Sequence, residues 1–137
     1  MYPAELTAPM TRDLTESGFK SLETPADVDV ALTNKEGTTL LVVNSVCGCA
    51  AAMARPGVKL ALREGNNPDH LCTVFAGVDR QATARAREYL LPYPPSSPSI
   101  ALFKEGRLVH FLERHHIEGH SAQMIAQNLR AAFDEYC

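Results

Sequence analysis

A chain of 137 residues is long enough to form one domain with a core that needs no disulfide staples. Apolar residues make up 45% and charged residues 21%, ordinary globular usage, and a net charge of −3 without any local basic cluster argues against nucleic acid as a partner. The longest apolar run, Leu40 to Val43, is far too short to cross a bilayer, and the start Met1-Tyr2-Pro3-Ala4-Glu5 lacks the charge and apolar stretch of a secretory signal.

Taken in order, the pattern predicts a first helix over Met10 to Ser17, closed by Gly18. Thr24 is placed to cap a second helix, with Pro25 at its first position and Asp27 in its first turn; this helix stops near Asn34 to Gly37. Thr38 to Val46 reads as a strand. Its run Leu40-Leu41-Val42-Val43 does not alternate, which fits a strand covered on both faces. After Cys47-Gly48-Cys49 a helix is expected from Ala50 to about Glu64, kinked or restarted at Pro56. Leu71 to Val78 reads as a second buried strand and Arg80 to Leu91 as a helix. Pro92 to Pro98 is a loop. Ile100 to Phe103 and Leu108 to Leu112 form a hairpin around Lys104-Glu105-Gly106-Arg107, and Ser121 to Tyr136 is an amphipathic helix. One domain over 1–137 is expected, with N-terminal helices in 1–37 and the core in 38–137.

The four cysteines are Cys47, Cys49, Cys72 and Cys137. In the reducing cytoplasm, the compartment expected here, a close pair points to redox chemistry or metal rather than a structural staple. Cys47 stands where a buried strand hands over to a helix. Unpaired N–H groups and the positive end of the helix dipole converge there and favour thiolate. A thiolate is the nucleophile of disulfide exchange. Cys49, expected deeper in the first turn, is placed to attack a mixed disulfide on Cys47. Gly48 eases the small ring that such an internal disulfide closes. Cys72 reads as a core side chain and Cys137 as a terminal surface thiol.

Metal is the rival reading. Cys47 and Cys49 supply two thiolates, and His115, His116 and His120 are possible imidazole donors, but no second cysteine pair exists and the spacing matches no zinc pattern. Ser97-Pro98 enters a strand from a tight loop and is a candidate cis bond, which would free the Ser97 backbone to pair with an extended substrate. Arg55 is a candidate partner for a carboxylate on a bound adduct.

Several segments together resemble the bacilliredoxin family of the thioredoxin-like superfamily. They are Asn44-Ser45-Val46-Cys47-Gly48-Cys49-Ala50, Ala54-Arg55-Pro56, Asp69-His70-Leu71 with Thr73 to Gly77, and Ala82 to Arg87. Tyr93 to Ser99 and Glu113-Arg114-His115 with Ile117-Glu118-Gly119-His120 complete the set, which spans about Leu22 to Cys137. The resemblance implies a thioredoxin-like three-layer α/β/α sandwich with a central mixed sheet and an N-terminal helical extension. It implies Cys47 as attacking cysteine, Cys49 as second cysteine and Pro98 as the cis-proline facing them; the expected substrate-binding set is Pro98 with Gly48, Ser97 and Arg55. It implies no bound cofactor and no metal. Bacillithiol, a low-molecular-weight thiol, is the expected co-substrate, and bacillithiolated or disulfide-containing cytosolic proteins are the expected clients. One departure from thioredoxin is visible: Leu41 to Ser45, before Cys47, carry no carboxylate to take the second cysteine's proton.

Overall fold

The run Leu40-Leu41-Val42-Val43 lies in the middle of a five-stranded mixed sheet. This is a computed structural model, and it describes residues 2–63 and 65–137. The strands are β1 (Lys20–Ser21), β2 (Thr38–Asn44), β3 (His70–Phe75), β4 (Ser99–Lys104) and β5 (Arg107–Leu112), in the order β1-β3-β2-β4-β5. β3 is parallel to both β1 and β2, and β4 runs antiparallel between β2 and β5. Helices α1 (Ala4–Thr15), α2 (Pro25–Leu32), α3 (Arg55–Ala61), α4 (Arg80–Glu88), α5 (Arg114–Ile117) and α6 (Ala122–Tyr136) surround the sheet.

Successive residues of a strand face opposite ways, and β2 shows what each face meets. Leu40 and Val42 pack with Leu14 of α1, Val58 of α3, and Ile125, Leu129 and Phe133 of α6. Leu41 and Val43 pack with Val28 and Leu32 of α2 and Ala82 and Ala86 of α4. Both faces are therefore apolar because both are roofed by helices. The result is the three-layer α/β/α sandwich expected from the sequence.

Thr24 accepts a hydrogen bond from the Asp27 N–H at 3.1 Å, the cap expected there, and α6 is capped by Ser121, which accepts one from the Met124 N–H at 3.2 Å. The β4–β5 turn places Glu105 and Gly106 at φ 53° and 80°, the two left-handed residues of a type I′ hairpin. No helix among the described residues is long and apolar enough to cross a membrane.

Four elements differ from expectation. α1 starts at Ala4 rather than Met10, carrying Pro9 within it. β1 is absent from the sequence pattern: two residues carry no periodicity, and Lys20 and Ser21 are strand only because Cys72 and Thr73 lie beside them. The segment before Thr38 thus adds an edge strand as well as helices, and Phe19 and Leu22 join the core. α5, a single turn, is likewise an addition to the expected elements. The helix expected from Ala50, kinked or restarted at Pro56, does break there, but its first part is a π-helical turn, Ala50–Ala54, that runs into α3 at Arg55. The Arg55 N–H reaches back to the Ala50 carbonyl, and Pro56, which has no N–H to give, follows at once. The register change therefore falls where the ladder already lacks a donor. The expected end at Glu64 lies outside the described residues; α3 closes at Ala61.

Candidate active site

β2 ends at Asn44, and the chain must turn sharply to enter the helical segment. Asn44 is buried and fastens that turn. Its amide donates to the Met10 carbonyl at 3.1 Å, and its oxygen accepts from the Ser45 N–H and from Arg55 Nη1, both at 2.9 Å. The Ser45 hydroxyl then accepts the Cys47 N–H at 2.9 Å, and the Cys47 carbonyl accepts from Ala50 at 2.9 Å. Cys47 is held on a short loop bonded on either side of it.

Both cysteines are free thiols and both are half-buried, so Cys49 does not lie below Cys47 as expected. The π-helical turn keeps the two side chains at one surface. The Cys49 N–H donates to Cys47 Sγ at 3.4 Å. That bond, with the Cys49 thiol adding to it, holds the Cys47 thiol below its ordinary value; burial opposes the shift, the Arg114 charge reinforces it, and Glu118 opposes it. Cys49 moves the other way. Its hydrogen bond to Cys47, then burial, then its bond to Glu118 push it up to about 11. The two thiols are thus pushed in opposite directions, Cys47 toward the thiolate and Cys49 toward the thiol, the ordering that attack followed by resolution uses.

The charges around the sulfurs come from α5, far along the chain. Arg114 Nη2 lies 3.2 Å from Cys47 Sγ and 3.9 Å from Cys49 Sγ. Its Nε donates to Glu118 Oε2 at 3.0 Å and its Nη1 to the Ser97 carbonyl at 3.3 Å. Cys49 Sγ donates to the same Glu118 oxygen at 3.3 Å. Glu118 is held below its usual carboxylate value by that thiol and then by Arg114. The carboxylate absent from the strand before Cys47 is thus supplied from the other side of the cleft. Arg114 and Glu118 stand in the sequence as part of the quoted resemblance, at positions i and i+4 of a helical turn, the spacing that lets a guanidinium and a carboxylate meet. Nothing local ties them to Cys47.

The remaining expected residues are placed as follows. The Ser97–Pro98 bond is cis, and Ser97 lines the same groove as Cys47. The Ser97 carbonyl, expected to be free for substrate, is taken by Arg114. Gly48 is exposed, and a Cβ built there meets nothing within 4 Å. Arg55 is the clear departure. It is only 5% exposed and spends its donors on Asp13 at 3.1 Å, Asn44 at 2.9 Å and the Ser45 carbonyl at 3.3 Å. It braces the loop beneath Cys47 and does not face an adduct. Cys72 is buried, which pushes its thiol up to about 12, and Cys137 is exposed. Glu113, His115 and His116 bring ligand atoms within 4.8 Å of one another. However, His116 Nδ1 already accepts the Glu113 N–H at 3.0 Å, and neither cysteine belongs to that group.

Comparison with known proteins gives the family and the fold. A family model described as Disulphide isomerase matches residues 2–137. A bacilliredoxin from Cytophaga hutchinsonii is 59% identical over 135 residues, covering 98% of this chain and 99% of that protein. Bacilliredoxin GK2368 from Geobacillus kaustophilus is 56% identical over 126 residues, covering 92% and 86%. Among solved structures, oxidised thioredoxin O2 from Arabidopsis thaliana matches with a TM-score of 0.58 at 17% identity, over 89% of this chain and 97% of that one. A mutant thioredoxin from Halobacterium salinarum gives 0.57 at 17%, over 85% and 88%. At such identities the likeness concerns the fold alone. Family and thioredoxin-like fold together support a thiol–disulfide oxidoreductase. With a match running from residue 2 to residue 137 and relatives more than half identical over nearly this whole chain, this protein belongs to the Disulphide isomerase family.

Proposed function

We propose that this protein removes bacillithiol from mixed disulfides on cytosolic proteins, with Cys47 as nucleophile and Cys49 as resolving thiol. The observation that carries the reading is the split pair: one sulfur beside an N–H and a guanidinium, the other beside a carboxylate. The Cys47 thiolate attacks the disulfide between client and bacillithiol. A bond from Cys47 to the bacillithiol sulfur forms, and the client sulfur leaves as thiolate and is protonated. Cys49 then gives its proton to Glu118 and attacks Cys47 Sγ, and bacillithiol leaves with the electron pair of the broken bond. The product is a Cys47–Cys49 disulfide, which an external dithiol reduces. A second bacillithiol attacking the adduct is the alternative exit. Disulfide reduction or isomerisation on other clients is the broader form of the same chemistry.

Incubating the Cys49→Ala protein with a bacillithiolated client tests the reading. Mass spectrometry is expected to find bacillithiol on Cys47 and a freed client thiol; no adduct would falsify it. The metal-binding alternative meets a cation where its ion would sit, since Arg114 lies against both sulfurs. Stoichiometric metal in protein purified without supplements, lost on alkylation of Cys47, is the result that would favour it.

A further inference from the structure

Cys47 opens onto a groove of about 380 Å³, lined also by Tyr2, Gly77, Arg87, Ser97 and Arg114. That volume is near the lower end of small-molecule sites, about 300–1,000 Å³. Two arginines reach this groove from separate helices, Arg87 from α4 and Arg114 from α5. Arg114 is answered by Glu118 and by the Cys47 sulfur. Among the described residues, Arg87 is answered by nothing. Its Nε is wholly covered and has no hydrogen-bond partner, and none of its side-chain nitrogens bonds to a described residue. The other arginines that are at least partly covered are all engaged: Arg55 with Asp13, Arg85 with Asp29, and Arg130 with Asp134. Among the described residues, Arg87 is the only arginine that is both recessed and unpaired. Burial works against its charge, yet a guanidinium stays protonated at any working pH, so an unanswered recessed one is a cost.

The charge balance of the groove changes during exchange. In the reduced, attacking form the Cys47 thiolate and the Glu118 carboxylate both lie against Arg114, and Arg87 faces no anion among the described residues. Once Cys47 enters a mixed disulfide, its negative charge is gone and one positive charge is left over. An adduct that carries its own anion restores the balance. A guanidinium fork suits a planar carboxylate, which it binds through two parallel hydrogen bonds.

We infer that this groove is the subsite for the small-thiol half of the mixed disulfide, that it selects low-molecular-weight thiols bearing a carboxylate, and that Arg87 is the anchor for that carboxylate. This rests on the exchange reading above and adds to it a class of thiol and a specificity residue.

The test uses the full-length Cys49→Ala protein, so that the reaction stops at the adduct. Three symmetrical disulfides serve as probes: dithiodiglycolate (anionic), 2-hydroxyethyl disulfide (neutral) and cystamine (cationic). In each case the Cys47 thiolate attacks one sulfur, the new mixed disulfide forms, and the other half leaves as thiolate. Rates are read by acid quench and intact mass. At low salt the anionic probe is expected to react about tenfold faster than the neutral one, and cystamine more slowly than either. Adding Arg87→Met should bring the anionic-over-neutral ratio close to one, and Arg87→Lys, which keeps the charge but loses the fork, should leave it in between. Equal rates for all three probes on the parent protein overturn the subsite while leaving the exchange reading intact. So does an unchanged ratio in a folded Arg87→Met protein or, should that variant not fold, a full ratio in Arg87→Lys. Failure of every probe to form an adduct removes the exchange reading, and the subsite with it.

Discussion

Replacing Arg55 by methionine separates a bracing role from a substrate-binding one. The change keeps most of the aliphatic stem and removes the guanidinium. The bond to the half-exposed Asp13 is lost, but Asp13 keeps Lys59 at 2.6 Å, so this part falls at the lower end for charged hydrogen bonds, about 1.5 kcal/mol. The buried Ser45 carbonyl loses its donor, and Asn44 Oδ1 keeps only the Ser45 N–H. An unsatisfied buried acceptor costs about 1–3 kcal/mol. The expected loss is therefore about 2.5–4.5 kcal/mol, or a fall in Tm of about 10 °C for a chain of this length. Urea titration followed by far-ultraviolet circular dichroism measures it, with an unchanged m-value showing that the unfolded state is unaffected. The loosened loop should also blunt the Cys47 reactivity toward neutral and charged disulfides alike. Stability within about 0.5 kcal/mol of the parent, the ordinary range for an inconsequential surface change, together with a selective loss toward carboxylate-bearing disulfides, would refute the argument and return Arg55 to the binding surface.

Three further outcomes follow from the site and its supports. Alkylation of Cys47 by iodoacetamide should rise with pH with a midpoint below that of an ordinary thiol and precede alkylation of Cys49, whose thiol the Cys47 sulfur, burial and Glu118 hold up; Cys49→Ser should move the Cys47 midpoint upward only in part, because the residue 49 N–H remains. Glu118→Gln should slow closure of the Cys47–Cys49 disulfide at neutral pH and recover as the pH rises, since it removes the proton acceptor and also the charge that holds Cys49 up; a uniform loss at all pH values would argue for a merely structural role. Gly57→Ala should destabilise by about 1–3 kcal/mol through overpacking, because the added carbon falls 2.7 Å from Ile125 Cγ2 on α6, and calorimetric melting reads this directly.

What the sequence disclosed and what it withheld divide along a physical line. Leu40 to Val43, the Thr24 cap and the Glu105-Gly106 turn are local signals, and each matches the structure. β1 is a strand only through its neighbour, and α5 is one turn long, so neither leaves a periodic trace. At the site, the cysteines announce themselves by chemistry and spacing. Arg114 stands 67 residues from Cys47 and Glu118 69 residues from Cys49, and their pairing with the sulfurs exists only in three dimensions. The expectation for Arg55 fails for the converse reason: its closeness to Cys47 in the chain suggests a shared surface, whereas the helical segment turns its side chain under the loop toward Asn44.

The thiols and the groups that tune them ride on different pieces of the molecule. Arg114 and Glu118 sit on a single exposed turn after the hairpin, and only Ile117 of that turn is sunk into the interior. Exchanging those two charges should therefore retune sulfur acidity while leaving the melting behaviour of the scaffold nearly untouched. That makes the turn a natural place for variants of one architecture to diverge between donating and accepting electrons, and a convenient place to engineer the same divergence.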